Sequence, residues 1–196
     1  MSRFLRSFAL LLPLMALSPS AEGQVTASSH PVLQVKPADD GKADGVRWMT
    51  FEEAMAAMET EPRKVFIDLY TDWCGWCKRM DANTFSHPEV ARYLNEEWYP
   101  VKFDAEQQAP VMYKGREYTF VPSGRRGYNQ LAAELAAGRL SYPTTVYLDE
   151  KGDAIQAIPG YKDPYALDKI LKFFGGDHYR NKTWVEFQEH YESPLR

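Results

Sequence analysis

The stretch Val65-Phe66-Ile67-Asp68-Leu69-Tyr70-Thr71-Asp72-Trp73-Cys74-Gly75-Trp76-Cys77-Lys78 joins a near-continuous apolar run to a closely spaced cysteine pair. Val65 to Tyr70 has strand length and no alternation, which predicts a central strand covered on both faces. The cysteines follow at once and open a helix. A C-x-x-C in that position is a redox signature with a mechanism. A helix N-terminus carries roughly +0.5 charge, which favours Cys74 as the thiolate. The thiolate is the nucleophile, so Cys74 is expected to attack a partner disulfide and Cys77, at i+3 on the same face, to resolve the adduct. Lys78 and Arg79 add positive charge nearby. Two rival readings are weaker. A bond within four residues closes a loop too short to constrain the unfolded chain much, so it is a poor staple. A zinc site lacks a second cysteine pair or spaced histidines, since these are the only 2 cysteines of the chain. No metal is expected, and no cofactor beyond the Cys74–Cys77 disulfide itself. Asp68 in the middle of the apolar strand is costly unless paired or functional.

Outward from this stretch, the pattern alternates strands and helices. Val46-Arg47-Trp48 reads as a short strand, and Thr50 with Glu53 forms a capping box. Phe51, Ala54, Met55 and Met58 then mark an amphipathic helix that stops near Pro62. The helix opened by the cysteines runs to about Asn83. Ser86-His87-Pro88-Glu89 starts another, with Val90, Leu94 and Trp98 inward, and Tyr99 to Phe103 is a strand. Residues 105–142 form an excursion with a hairpin around Tyr113-Lys114-Gly115-Arg116, a loop Pro122–Gly127 and a helix near 129–137 ending at Gly138. Thr144–Leu148 and Ala154–Ile158 flank the turn Asp149–Gly152 as a hairpin. Asp163, Pro164 and Gly175 (as C′) bracket a helix, and Trp184, Phe187 and Tyr191 mark a last one at about 182–191. The expected class is α/β, a mixed central sheet with helices on both faces.

The first residues need not belong to this domain. Arg3 and Arg6, the apolar run Phe8–Leu17 and the small residues around Ala21 and Gly23 have the three parts of a secretory signal, so residues 1–23 read as a signal peptide. Residues 24–44 read as a flexible leader and 45–196 as the domain. The apolar run is about half the ~20 residues of a spanning helix. Without residues 1–23 the chain keeps no second run of that length, and stable membrane insertion is not expected. The formal net charge is −4. With no basic run, nucleic acid is not an expected partner.

The motif Trp73-Cys74-Gly75-Trp76-Cys77-Lys78 after its strand closely resembles the active-site stretch of thioredoxins. Tyr142-Pro143-Thr144 resembles the family's cis-proline loop, and Gly160 falls at its glycine after the hairpin. The resemblance spans about residues 46–176 and is closest to exported thioredoxin-related proteins. It implies a thioredoxin fold with an insertion before the cis-proline strand and an extra C-terminal helix. It implies that Asp68 handles the proton of Cys77, that Pro143 is cis beside the sulfurs, and that the backbone of Tyr142 pairs with an extended substrate. Gly75 and Trp76 would share the substrate surface, with Trp73 as an apolar rim; plain packing is the other reading of Trp73. The partners implied are protein thiols and disulfides, outside the cytoplasm, with a membrane reductase as electron donor if the direction is reducing. The sequence also departs from the family. Trp76 replaces a proline, Ala82 stands where a kinking proline is common, and the lysine that assists the buried Asp has no clean match, with Pro100 at its place and Lys102 two residues on. Arg125 and Arg126, with Tyr113, Tyr118, Phe120 and Tyr128, either shape a partner surface or form a solvated loop over a small satellite core. His87 is either a capping or surface histidine or, with the two cysteines, a copper ligand. On the same fold, a non-enzymatic chaperone or copper carrier is the alternative to an oxidoreductase.

Overall fold

The computed structural model describes residues 45–195; the expected signal peptide and leader lie outside the described residues. In chain order, α1 (Phe51–Thr60) leads into β1 (Val65–Tyr70), and α2 (Gly75–Met80) continues into a wide π turn at Asp81–Phe85. Next come α3 (Pro88–Glu97) and β2 (Tyr99–Asp104). The excursion holds β3 (Val111–Tyr113), β4 (Arg116–Tyr118), β5 (Phe120–Ser123), β6 (Arg126–Asn129) and α4 (Gln130–Leu135). The chain closes with β7 (Thr144–Leu148), β8 (Ala154–Pro159), α5 (Pro164–Gly175) and α6 (Trp184–His190). The capping boxes Thr50–Glu53 and Thr183–Glu186 start α1 and α6, and Asp163 caps α5 ahead of Pro164.

The main sheet has the order β2-β1-β7-β8, with β1 parallel to β2 and the other two pairings antiparallel. Because successive side chains alternate across a strand, β1 serves two cores. Val65, Ile67 and Leu69 join Phe51, Val101 and Val146 on one face. Phe66 joins Leu94, Trp98, Tyr147 and Leu171 on the other. Asp68 shares the parity of Phe66, on the side of α2, α3 and α5.

Several details differ from the sequence reading. Residues 46–48 form no strand; Met49 alone bridges to β2. The stretch Pro122–Gly127 is no loop but the turn and flanks of a second hairpin, with Pro122 opposite Gly127 and Gly124 at φ 59°. Gly127 makes this possible, since a Cβ there would collide with the Phe120 ring. Gly175 is not C′ but the last residue of α5, in ordinary helical backbone. Its lack of a side chain serves packing, since a Cβ would lie 2.7 Å from the Tyr93 hydroxyl. The excursion is also no satellite: Val111, Tyr113, Tyr118, Leu131 and Leu135 are buried in the same core as Ile67.

Ile67 is fully buried at the centre of that core. Ile67→Ala is expected to lower the stability to urea by about 2–5 kcal/mol. Val185→Ala, at a site 63% exposed on α6, should change it by less than about 0.5 kcal/mol.

Candidate functional site

Cys74 ends the β1–α2 connection and is the N-cap of α2. Its Sγ accepts the Cys77 backbone N–H at 3.0 Å, so it sits where helix amides converge. The two sulfurs are bonded at 2.05 Å. Cys77 is 1% exposed and Cys74 4%. Gly75 leaves open space where a side chain would stand, and Trp76 projects outward at 55% exposure. Lys78 lies on the exposed side of α2 with no ion pair among the described residues.

The buried carboxylate of β1, Asp68, is not alone. The parallel register sets Asp68 opposite Lys102, and the Lys102 ammonium donates to Asp68 Oδ2 at 2.7 Å and also to Asp81. Lys102 therefore supplies the partner that residue counting had not found, while Pro100 pairs with Phe66 further back along the strand. The faces of Tyr70, Trp48 and Phe85 surround the ammonium at 4.9, 5.1 and 5.3 Å. Burial pushes the Asp68 carboxyl up to about 6, although Lys102 pulls it down; Asp81 adds a further upward push. Burial pulls Lys102 down, but the two carboxylates outweigh it and hold the ammonium above its ordinary value. Asp68 Oδ1 is buried with no hydrogen-bond partner. Sequence reading had not singled out Asp81. Its position four residues after Cys77, on the helix that covers Asp68, was the available signal.

Opposite α2, the Tyr142–Pro143 peptide is cis, and Pro143 O accepts the Gly160 N–H at 2.8 Å. Gly160 has φ 88°, a conformation that favours glycine. Tyr142 meets Trp73 edge-on at 5.9 Å, and Arg126 from the β5–β6 hairpin lies 4.8 Å over the same indole. Trp73 is 49% exposed and so is not a core residue. His87 is the N-cap residue of α3, though its side chain makes no capping bond. No group of three potential metal ligands occurs among the described residues.

Residues 51–175 match the family model described as a thioredoxin-like domain, and the chain belongs to that family. Among curated proteins it is 37% identical over 84 residues to the thiol:disulfide interchange protein DsbD of Neisseria meningitidis, covering 39% of this chain and 14% of that one. It is 31% identical over 105 residues to the DsbD of Pectobacterium atrosepticum, covering 54% and 14%. The chain thus spans a small part of the length of these relatives. Among solved structures, it is similar to a DsbH oxidoreductase (TM-score 0.48, 19% identity, 74% of this chain and 92% of that one). It is also similar to a thioredoxin from Thermus thermophilus (TM-score 0.48, 18% identity, 76% and 99%). Together the family match, the thiol:disulfide interchange relatives and the C-x-x-C pair support redox activity in general terms.

The raised affinity of Asp68 for its proton has a consequence for stability. Below about pH 4 the carboxyl is protonated both folded and unfolded, and the fold keeps its full contribution. As pH rises through about 6, that contribution is lost, because the ionised group is harder to bury than to solvate. The stability of Asp68→Asn relative to the parent should therefore rise between pH 4 and 7, by on the order of 2–3 kcal/mol, in urea titrations of the oxidised protein.

Proposed function

We propose that this chain is an exported thiol–disulfide oxidoreductase that reduces disulfides of partner proteins. The observation that carries the reading is a C-x-x-C at a helix N-terminus backed by a buried, lysine-paired carboxylate with one oxygen unpartnered. The names of the interchange relatives support the same class of chemistry, and the pattern of residues 1–23 supports export.

In the reducing direction the cycle starts from the dithiol. The Cys74 thiolate attacks one sulfur of a partner disulfide; an S–S bond to Cys74 forms and the partner's other sulfur leaves as a thiolate. Cys77 gives its proton to Asp68 and attacks Cys74 Sγ. The intramolecular disulfide forms, and the second partner sulfur departs. Two electrons pass to the partner, and Cys74–Cys77 ends oxidised, as the bonded sulfurs stand here. Regeneration requires an external dithiol, for which a membrane reductase is the proposed donor. Asp68 suits the proton step because burial brings its affinity to about 6, closer to neutrality than an exposed carboxyl. The tryptophan rim, Gly75 and the backbone of Tyr142 beside Pro143 are proposed to hold the partner segment.

Two measurements test this reading. Cys77→Ser should accumulate a covalent adduct with a disulfide-bonded protein such as insulin, released by dithiothreitol, whereas Cys74→Ser should form none. The equilibrium potential of the pair in a dithiothreitol or glutathione couple should lie near the roughly −270 mV of a reductant. A value near roughly −120 mV, that of a strong oxidant, would overturn the reducing direction.

A further inference from the structure

Two aromatic pairs capped by arginines flank the disulfide, and they differ in charge. On one side stand Trp73, Tyr142 and Arg126. Arg126 is paired with Glu106 at 3.2 Å, and the charges of Glu106 and Asp104 reach Tyr142 while those of Asp104 and Asp72 reach Tyr70. With Arg125 beside Arg126 and Glu106, this flank carries charges of both signs. On the other side, the half-exposed Trp76 meets Tyr161 at 5.5 Å. Arg79 lies 5.2 Å over Trp76 and 5.8 Å over Tyr161.

Arg79 makes no ion pair among the described residues, like Arg47, Arg125 and Arg139 and unlike Arg63, Arg92, Arg116 and Arg180. Asp81, two residues from Arg79, and Asp163, two residues from Tyr161, are engaged elsewhere. Asp81 holds Lys102, and Asp163 accepts the Ala166 N–H at the start of α5. Lys162, next to Tyr161, donates to the carbonyls of Pro159 and Gly160 and brings no negative charge. Trp76 and Arg79 stand at i and i+3 on α2, so they share one helix face, while Cys77 and Met80 turn inward. The result is an exposed guanidinium held over two rings, on the helix that carries Cys77, with no hydrogen bond or ion pair of its own among the described residues.

We propose that this flank recognises an acidic residue next to the target cystine: Arg79 pairs with a partner Asp or Glu, and Trp76 packs against the adjoining side chain. The partner class is an extended, cystine-containing polypeptide segment with negative charge beside the disulfide. The inference rests on the disulfide-exchange reading above and adds the charge of the substrate to it. The rings limit the freedom of the guanidinium, so less ordering is required when the partner arrives. A rim charge of this kind acts mainly on the encounter rate and weakens as salt screens it.

The test uses pre-reduced protein and three oxidised peptides of one sequence, whose intramolecular cystine is flanked by Asp, Asn or Lys. Second-order exchange rates are followed by the fluorescence of the active-site tryptophans. The Asp peptide should react on the order of threefold to tenfold faster than the Lys peptide at low salt, and the ratio should shrink at high salt. Arg79→Gln should flatten the ratio and Arg79→Glu invert it. Arg92→Gln, on the far helix α3 and paired to Glu89 and Glu96, should leave it as in the parent. A change in the intrinsic reactivity of Cys74 would scale all three rates together and leave the ratio intact. Equal rates in the parent, or an unchanged preference in Arg79→Glu, overturn the inference while leaving exchange itself in place. No exchange with any of the three peptides overturns the disulfide-exchange reading and this inference with it.

Discussion

The ion pair between Asp68 and Lys102 constrains both the sheet and the site. A carboxylate in the middle of a strand covered on both faces costs several kcal/mol unless a partner reaches it. Here the partner comes from the next strand in parallel register, so the β1–β2 pairing that builds the core also delivers the ammonium. A shift of one residue would turn Lys102 to the opposite face and bring an apolar neighbour to Asp68. Sheet register and site electrostatics are one requirement. The rings of Tyr70, Trp48 and Phe85 around the ammonium keep it desolvated and directed at its carboxylates.

The alternation of β1 also explains the position of the excursion between β2 and β7. One face of the sheet is closed by α2, α3 and α5, with Cys77 on α2 and the Asp68–Lys102 pair on the strands β1 and β2. The other face has only α1, and the excursion completes it with Val111, Tyr118, Leu131 and Leu135. Removing this segment would expose the underside of Ile67 and Val146. Once anchored there, the β5–β6 hairpin reaches the rim, where Arg126 covers Trp73. A segment that serves the core thereby shapes one edge of the candidate site.

The stretch Val65–Lys78 made the central strand, the redox pair and the buried Asp legible, because burial on both faces and helix-start chemistry leave local signatures. Thr50, Asp163 and Thr183 mark helix starts for the same reason. Lys102 was not legible as the partner of Asp68, because that depends on how β2 registers against β1 after an intervening helix, and counting residues does not determine register. The second hairpin hid behind Pro122 and Gly127, which read as loop residues. Gly127 is there to admit the Phe120 ring, a tertiary requirement with no local signal. Gly175 misled for a related reason. A glycine near a helix end suggests a left-handed cap, yet this one relieves contact with Tyr93 and Trp98. The difference in charge between the two flanks needs ring contacts between residues far apart in the chain.

Lys102 serves two carboxylates of unequal burial, and that inequality bears on the proposed proton step. With Asp68 buried and Asp81 44% exposed, ionising both leaves the cluster with one excess negative charge. Protonating Asp68 makes it neutral, and the cost of burial makes Asp68 the site of choice for that proton. Burial is the largest influence on Asp68 and outweighs the opposing pull of Lys102. Burial thereby brings the affinity of Asp68 to about 6, towards the range in which a proton can be received and released. Asp81, which touches neither sulfur nor substrate in the proposed cycle, adds a smaller push in the same direction.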